Sequence, residues 1–354
     1  AHNVQVLSSN YTLYADMSKR VMDTIAHFYP ELEIYSIDEA FIKLSGSKEE
    51  LFQQACDIQE TILKWTGIPV SVGIAPTKTL AKVANENAKN NPQLQGVQVL
   101  FSSEDWEPVL KVFPVEKIWG IGRKNASTLK ARNLNTAQRF LEMPATWIKK
   151  YFKVFGERIA SELRGIPCLE IVQQPSSRKS IISSRSFGYP LSKLSELKEA
   201  VASYTSRAAT KLRAQGLVAE YVYVFLTTNR FKQVPQYYNS ITIKLPSQTD
   251  YTPDLIRCSS QALESIYKEG FEYKKAGVAL HVLSSKTSQQ INLFSTNNNE
   301  KQEAINKVFD KLKVRYGDKG IQIASCGLKK AWSMRSESRS KQYTTNWNEL
   351  VPVN

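Results

Sequence analysis

The sequence predicts a multidomain α+β protein, and three observations carry that expectation. Its 354 residues exceed what one hydrophobic core usually serves, so two to four domains are expected. Helical and strand periodicities alternate over the first ninety residues, give way to helices alone, and return as strands and helices after about residue 180. The charge divides along the chain as well. Of the net +14, residues 1–100 carry 8 Lys/Arg against 11 Asp/Glu, a net of −3, whereas 101–168 hold 12 basic against 7 acidic residues and 178–235 hold 10 against 3. A mildly acidic part followed by basic ones suits a metal-dependent catalytic unit joined to modules that bind a polyanion, nucleic acid before membrane.

Each element has its own signal. Tyr11, Tyr14, Met17 or Ser18, Val21, Ile25 and Phe28 recur at three- and four-residue spacings, an amphipathic helix over 10–29 that Pro30 closes. An apolar, strand-like run follows, Ile34 to Ile42, and it contains the adjacent acids Asp38 and Glu39. A second helix runs from about Lys48 to Trp65, a strand over Ile68–Ile74, and a helix from Pro76-Thr77 through Lys89. Residues 90–104 read as a short linker, 105–165 as helices with turn-length breaks, and 169–180 as an irregular tether. From 181 to about 284 the order strand, helix, strand, strand, helix, strand describes a small α+β sandwich. Residues 285–354 are polar linkers around one helix (301–316), ending in a basic, Ser-rich, flexible tail.

Several classes are excluded. A hydrophobic content of 42% is that of a globular chain, no apolar run reaches membrane-spanning length, and the first residues form no signal peptide. Four scattered cysteines without a C-x-x-C pair and three scattered histidines make a zinc site improbable and suit reduced thiols in the cytoplasm.

The candidate sites each carry two readings. Buried carboxylates need partners, and a divalent cation is one, so Asp38 and Glu39 are either a cation site or the solvated acids of a hairpin. Gly120-Ile121-Gly122 turns tightly and presents unblocked N–H groups before a helix with Ala126 and Leu129 on its packing face. With Arg123, Lys124 and Lys130 it forms either a helix–hairpin–helix grip on a DNA phosphate or an ordinary helix-linking turn. Lys78, Lys82 and Lys89 project from a helix that begins just after a strand, and are either triphosphate contacts or solvated lysines. Ser183-Ser184-Arg185-Ser186 and Arg207 could bond successive phosphates or protect a sheet edge. Gln290-Ile291-Asn292-Leu293-Phe294 places an apolar pair in a polar linker, which suits a peptide docking in a partner's pocket or a contact with its own domain.

Taken together and in this order, SIDEAF, VGIAPTKTLAKVAN, WGIGRK, the SRSFG strand and QINLF resemble the Y-family (lesion-bypass) DNA polymerases, most closely the UmuC-like catalytic subunits of bacterial DNA polymerase V. The resemblance covers nearly the whole chain, including GLKKAWSMRSESRSKQYTTNW. It implies a partial palm (1–100), a thumb with the hairpin (101–168), a linker (169–180), a little finger (181–285) and a C-terminal region (286–354). By the same resemblance Asp38 and Glu39 ligate catalytic Mg²⁺, and Lys89 contacts the incoming dNTP. Gln290, Leu293 and Phe294 anchor on the β sliding clamp. The implied activity is translesion synthesis on primed damaged DNA in the SOS response, with a UmuD′-like dimer and a RecA filament as partners. Family members begin with a strand carrying a first metal-binding Asp, then an aromatic gate and the fingers. This sequence opens at AHNVQVLSSNYTLYADMS, and neither Asp16 nor Asp23, both in the first helix, can stand in. The expectation is therefore an N-terminally truncated chain whose palm sheet lacks a strand, exposes apolar surface, and catalyses poorly with two acids. A noncatalytic DNA- and clamp-binding remnant and a nucleotidyl cyclase-like palm enzyme are the alternatives.

Overall fold

The computed structural model describes residues 4–173, 178–288, 299–328, 330–334 and 336–352. These form two compact units, one made of 1–175 with 338–354 and the other of 176–337.

The first unit opens with α1 (Tyr11–Phe28) and an antiparallel hairpin, β1 (Leu32–Ile34) with β2 (Ala40–Ile42), in which Leu32 faces Ile42. Helix α2 (Lys48–Thr66) is bounded by a Ser47–Glu50 capping box and by Gly67 in the left-handed region. Strand β3 (Val72–Ile74), helix α3 (Lys78–Asn90) and strand β4 (Val97–Val99) form a parallel crossover, Val72 opposite Val97. Strand β4 corrects the expectation of a linker over 90–104: three residues of alternation are too short a signal to separate from loop. Gly73 is required where β3 meets α3, because a Cβ there would lie 2.2 Å from the Asn85 nitrogen.

Helices α4 (Ser103–Val112), α5 (Arg123–Lys130), α6 (Ala137–Leu141) and α7 (Ala145–Leu163) follow. One hydrophobic cluster joins Leu80, Val83 and Ala84 of α3 to Leu110, Leu129, Phe140, Ile148 and Leu163 of these helices. A buried carboxylate secures the same junction. Glu162 is fully buried; its Oε2 accepts from the Thr79 N–H (2.9 Å) and hydroxyl (3.0 Å), and its Oε1 from the N–H groups of Cys168 (2.8 Å) and Leu169 (3.1 Å). The Thr77 hydroxyl, which caps α3, also donates to the Glu162 carbonyl at 2.8 Å. The start of α3 is thus fixed by the end of α7.

Two strand pairs, β1–β2 and β3–β4, take the place of one continuous sheet, and a groove of about 890 Å³ opens beside β2 and β3. Tyr14, Met17, Ser18, Val21 and Ile25 of α1 line it, so the apolar stripe read from the sequence is real but looks into the groove and is only partly buried.

In the second unit β5 (Ser180–Leu191), β6 (Leu217–Thr228), β7 (Tyr238–Thr249) and β8 (Tyr273–Ser285) form one antiparallel sheet in the order β5-β8-β6-β7. Helices α8 (Leu194–Arg213) and α9 (Thr252–Ile266) cover one face, with Val222, Val224, Leu226, Val278 and Leu280 beneath them. Helix α10 (Asn299–Gly320) belongs to this unit, and its polar side is what holds it. Asp310 takes both Arg213 Nε (2.6 Å) and Nη2 (2.8 Å), and Asn306 donates to Asp250 at 3.2 Å. Beyond it, Cys326 is buried with Ala202 and Ile256, and Trp332 packs edge-on against Phe187 and Tyr204. The Trp332 carbonyl accepts from the Gly188 N–H at 3.0 Å.

Further along, Ser338–Lys341 joins the first unit. The Ser8 N–H donates to the Ser338 carbonyl (2.8 Å), and the buried Asn10 amide donates to the carbonyls of Ser340 (3.0 Å) and Lys341 (3.3 Å). A flexible tail was expected here. Trp332 is buried and Ser338, Ser340 and Lys341 are held by hydrogen bonds, whereas the other described residues of 333–352 are exposed or half-buried.

Candidate functional site

Asp38 and Glu39 lie in the turn between β1 and β2, one step short of the strand in which the sequence placed them. The N–H groups of Tyr35 and Ser36 both donate to the Glu39 carbonyl, at 3.0 and 3.1 Å, which closes the turn. Of the β-branched and aromatic flanks that suggest a buried strand, Ile34, Tyr35 and Ile37 are exposed, whereas Phe41 is buried and Ile42 half-buried. Asp38 is exposed and its Oδ1 accepts from the Ser36 hydroxyl at 2.6 Å. Glu39 is half-buried and pairs with Lys82 of α3.

Lys78, Lys82 and Lys89 fall on one side of α3 by their four- and seven-residue spacing. The structure brings Lys82 and Lys89 to the groove with Asp38 and Glu39. Lys78 is not brought there. It is nearly buried in an ion pair with Glu33 (2.5 Å), donates to the Glu170 carbonyl (2.6 Å) and lies 5.1 Å from the Phe41 ring centre. Lys89 is exposed.

The two carboxylates on successive residues are hard oxygen donors. They fit a divalent cation of the magnesium type, which commonly takes one or two carboxylates and completes its shell with water and phosphate oxygens. Among the described residues no group of three or more His, Cys, Asp or Glu is gathered in one place.

The glycine hairpin forms as read. Val115–Lys117 is a 3-10 turn, and α5 starts at Arg123 with Gly122 as its N-cap and no side chain capping it, so its first N–H groups are open. Gly120 has φ +91°, and a Cβ there would lie 2.8 Å from Ile159 of α7. A Cβ at Gly122 would meet nothing within 4 Å, so that position faces open space. Gly120, Gly122, Arg123 and Lys124 are exposed. Lys130 pairs with Glu116 at 2.6 Å, and this bond holds the Glu116 carboxyl below its usual range.

In the second unit the sheet splits the Ser/Arg run, since neighbours on a strand point to opposite faces. Arg185 projects on the side of Phe187 and α8, near Arg207 and the buried Tyr204, whose hydroxyl burial raises to about 12. Ser184 and Ser186 look the other way. That open face holds what the sequence reading missed: Tyr221, Tyr223 and Phe225 in a row on β6, with Lys244 over Tyr221 and Lys275 over Phe225. Phe225 lies across Gly277, where a Cβ would approach it to 2.3 Å. The alternation in EYVYVFLTT was the available signal. Gln290, Leu293 and Phe294 lie outside the described residues.

The fold is that of the Y-family DNA polymerases: a solved Y-family DNA polymerase chimera of Dbh and Dpo4 superposes with a TM-score of 0.61 over 78% of each chain, at 20% identity. Sequence comparison carries the assignment further. The chain matches the impB/mucB/samB family over residues 1–86, that family's C-terminal domain over 178–293, and a domain of unknown function over 303–353. It is 39% identical to the protein UmuC of Salmonella typhimurium, over 99% of this chain and 84% of the relative. It is also 36% identical to the protein ImpB of Salmonella typhimurium (98% and 83%) and 25% identical to DNA polymerase IV of Oceanobacillus iheyensis (88% and 73%). The chain belongs to the impB/mucB/samB family, the UmuC-like branch of the Y-family polymerases. No helix among the described residues is long and apolar enough to cross a membrane.

Proposed function

We propose that the chain serves translesion DNA synthesis in the DNA-damage response, as a UmuC-like subunit for template-directed nucleotidyl transfer. The observation that carries this reading is the meeting of Asp38, Glu39, Lys82 and Lys89 on one groove of a family member. Asp38 and Glu39 are the residues that would hold Mg²⁺. When bound, the ion activates the primer 3′ hydroxyl and neutralises charge on the leaving pyrophosphate. Lys89 meets the triphosphate from solvent. Lys82 balances Glu39 in this structure, and its ammonium would face phosphate once that carboxylate held a cation.

The N–H groups at the start of α5, with Arg123 and Lys124, grip the DNA backbone without reading sequence. The Tyr221–Tyr223–Phe225 face with its lysines is a second backbone-tracking surface. Arg185 and Arg207 belong to the opposite face and contribute charge there. Residues 290–294 dock on a β sliding clamp, and deleting them abolishes clamp binding while DNA affinity stays intact. A UmuD′-like dimer and a RecA filament are the remaining partners of this reading, and the cytoplasm its compartment.

Primer extension by the purified chain with Mg²⁺ and dNTPs is the test. Incorporation that Asp38→Ala abolishes supports the reading. Binding of primed DNA without incorporation favours a noncatalytic DNA-binding role, for which the lack of a third acid among the described residues speaks. Failure to bind primed DNA overturns both and returns the cyclase-like alternative.

A further inference from the structure

Phosphate binding by the glycine hairpin uses backbone N–H groups and flanking cations, and leaves Trp119 without a task. Its indole Nε1–H donates to the Tyr35 hydroxyl at 3.0 Å, and the two rings meet nearly edge to face, with centres 5.4 Å apart at 85°. Phe41 completes a three-ring cluster, 5.7 Å from Trp119 and 5.8 Å from Tyr35. Tyr35 is also the residue whose backbone N–H closes the turn bearing Asp38 and Glu39.

We propose that Trp119 is a positioning residue that fastens the acidic turn to the glycine hairpin of the same unit. The turn has few contacts of its own, since Ile37 and Asp38 are exposed. Its other fastenings are the Ser18 hydroxyl on the Ile37 carbonyl and the Lys82–Glu39 pair. The Lys82 pair competes with any cation that Glu39 binds. The Trp119–Tyr35 bond does not, because it engages neither carboxylate. The hairpin end of the link is firm, as the close approach of Ile159 to Gly120 seats it on α7. Edge-to-face packing with a hydrogen bond defines ring orientation more narrowly than either contact alone. A phosphate seated on the hairpin and a cation on the turn would therefore share one support.

The inference rests on the metal-site reading for its purpose but not for its test. Hydrogen exchange of the peptide spanning 32–42 is measured in the full chain and in Trp119→Phe, Tyr35→Phe and the double variant, with a peptide from α2 as control. Both single variants keep an aromatic ring and lose the hydrogen bond. Exchange of the turn is expected to quicken about five-fold in each and no further in the double variant, with α2 unchanged. Unchanged exchange, additive effects, or equal acceleration in α2 overturns the proposal. Mn²⁺ titration of the same proteins separates the two readings. Weaker Mn²⁺ binding alongside faster exchange supports both. No Asp38-dependent Mn²⁺ binding in the parent chain defeats the metal site, and exchange still decides the role of Trp119.

Discussion

Replacing Glu162 by Gln is the sharpest probe of how the lysine row of α3 is held. The carboxylate has no solvent and four donors, two on each oxygen. An amide supplies one acceptor oxygen and one donor nitrogen, so one pair of donors must face an N–H₂ group. The less costly orientation keeps the oxygen on the Cys168 and Leu169 N–H groups and turns the nitrogen toward Thr79. The Thr79 hydroxyl can rotate to accept, but its N–H cannot, and one buried donor is stranded. Bonds to an ionised acceptor contribute about 1.5–3 kcal/mol each, and a stranded buried donor costs a similar amount. The expected loss is about 2–3 kcal/mol for Glu162→Gln and about 4–6 kcal/mol for Glu162→Ala, which strands all four donors and leaves a cavity. For a unit of this size the Gln variant should melt about 5–10 °C lower. Thermal unfolding followed by circular dichroism and calorimetry reads both. A Gln variant within about 0.5 kcal/mol of the parent, or one equal to Ala, would refute the acceptor argument.

Three further outcomes follow from the same kind of reasoning. Trp332→Ala should cost about 3–5 kcal/mol in denaturant unfolding, whereas Trp332→Phe should cost under about 1.5 kcal/mol. Phe keeps a ring against Phe187 and Tyr204, and it forfeits no hydrogen bond because the indole Nε1 has no partner among the described residues. Asp105 ion-pairs with Lys48 at 2.5 Å and accepts from the Ser102 and Phe101 N–H groups; the Lys48 bond comes first among the causes that hold its carboxyl below the usual range. Its contribution is therefore present above about pH 4 and lost as pH falls through its own lower value. Asp105→Asn should cost about 1 kcal/mol at neutral pH, with the two stability curves converging in acid. In DNA-binding titrations Lys124→Ala should reduce the slope of log affinity against log salt by about 0.9. Lys130→Ala should reduce it by less, because Glu116 already neutralises that lysine.

The order of helices and strands was legible because most elements are long and periodic: α2, α3, α8, α9 and the four long strands all announce themselves. The β character of the flanks suggests a strand and the adjacent acids a hairpin; the hairpin forms, with Ile34, Tyr35 and Ile37 exposed, and propensity alone does not separate the two. The sequence projects Lys78, Lys82 and Lys89 from one helix, but only long-range packing decides that Lys78 is spent on Glu33 while Lys82 meets Glu39. The separation of Arg185 from Ser184 and Ser186 follows from the two-residue period alone and was available without coordinates. The role of Glu162 was not, since its four donors come from two segments that only the tertiary fold brings together.

The hydrogen bonds from Asn10 to Ser340 and Lys341 set the order in which this protein can be finished. The partners are separated by 330 and 331 positions, so the first unit includes the chain's earliest and latest described segments. Synthesis runs at about 5–20 residues per second, and the second unit is made in between. The body of the first unit therefore waits on the order of 10–30 s with the Asn10 amide unmet by its final partners. During that interval the segment leading into α1 lacks the bonds that Ser338, Ser340 and Lys341 later supply.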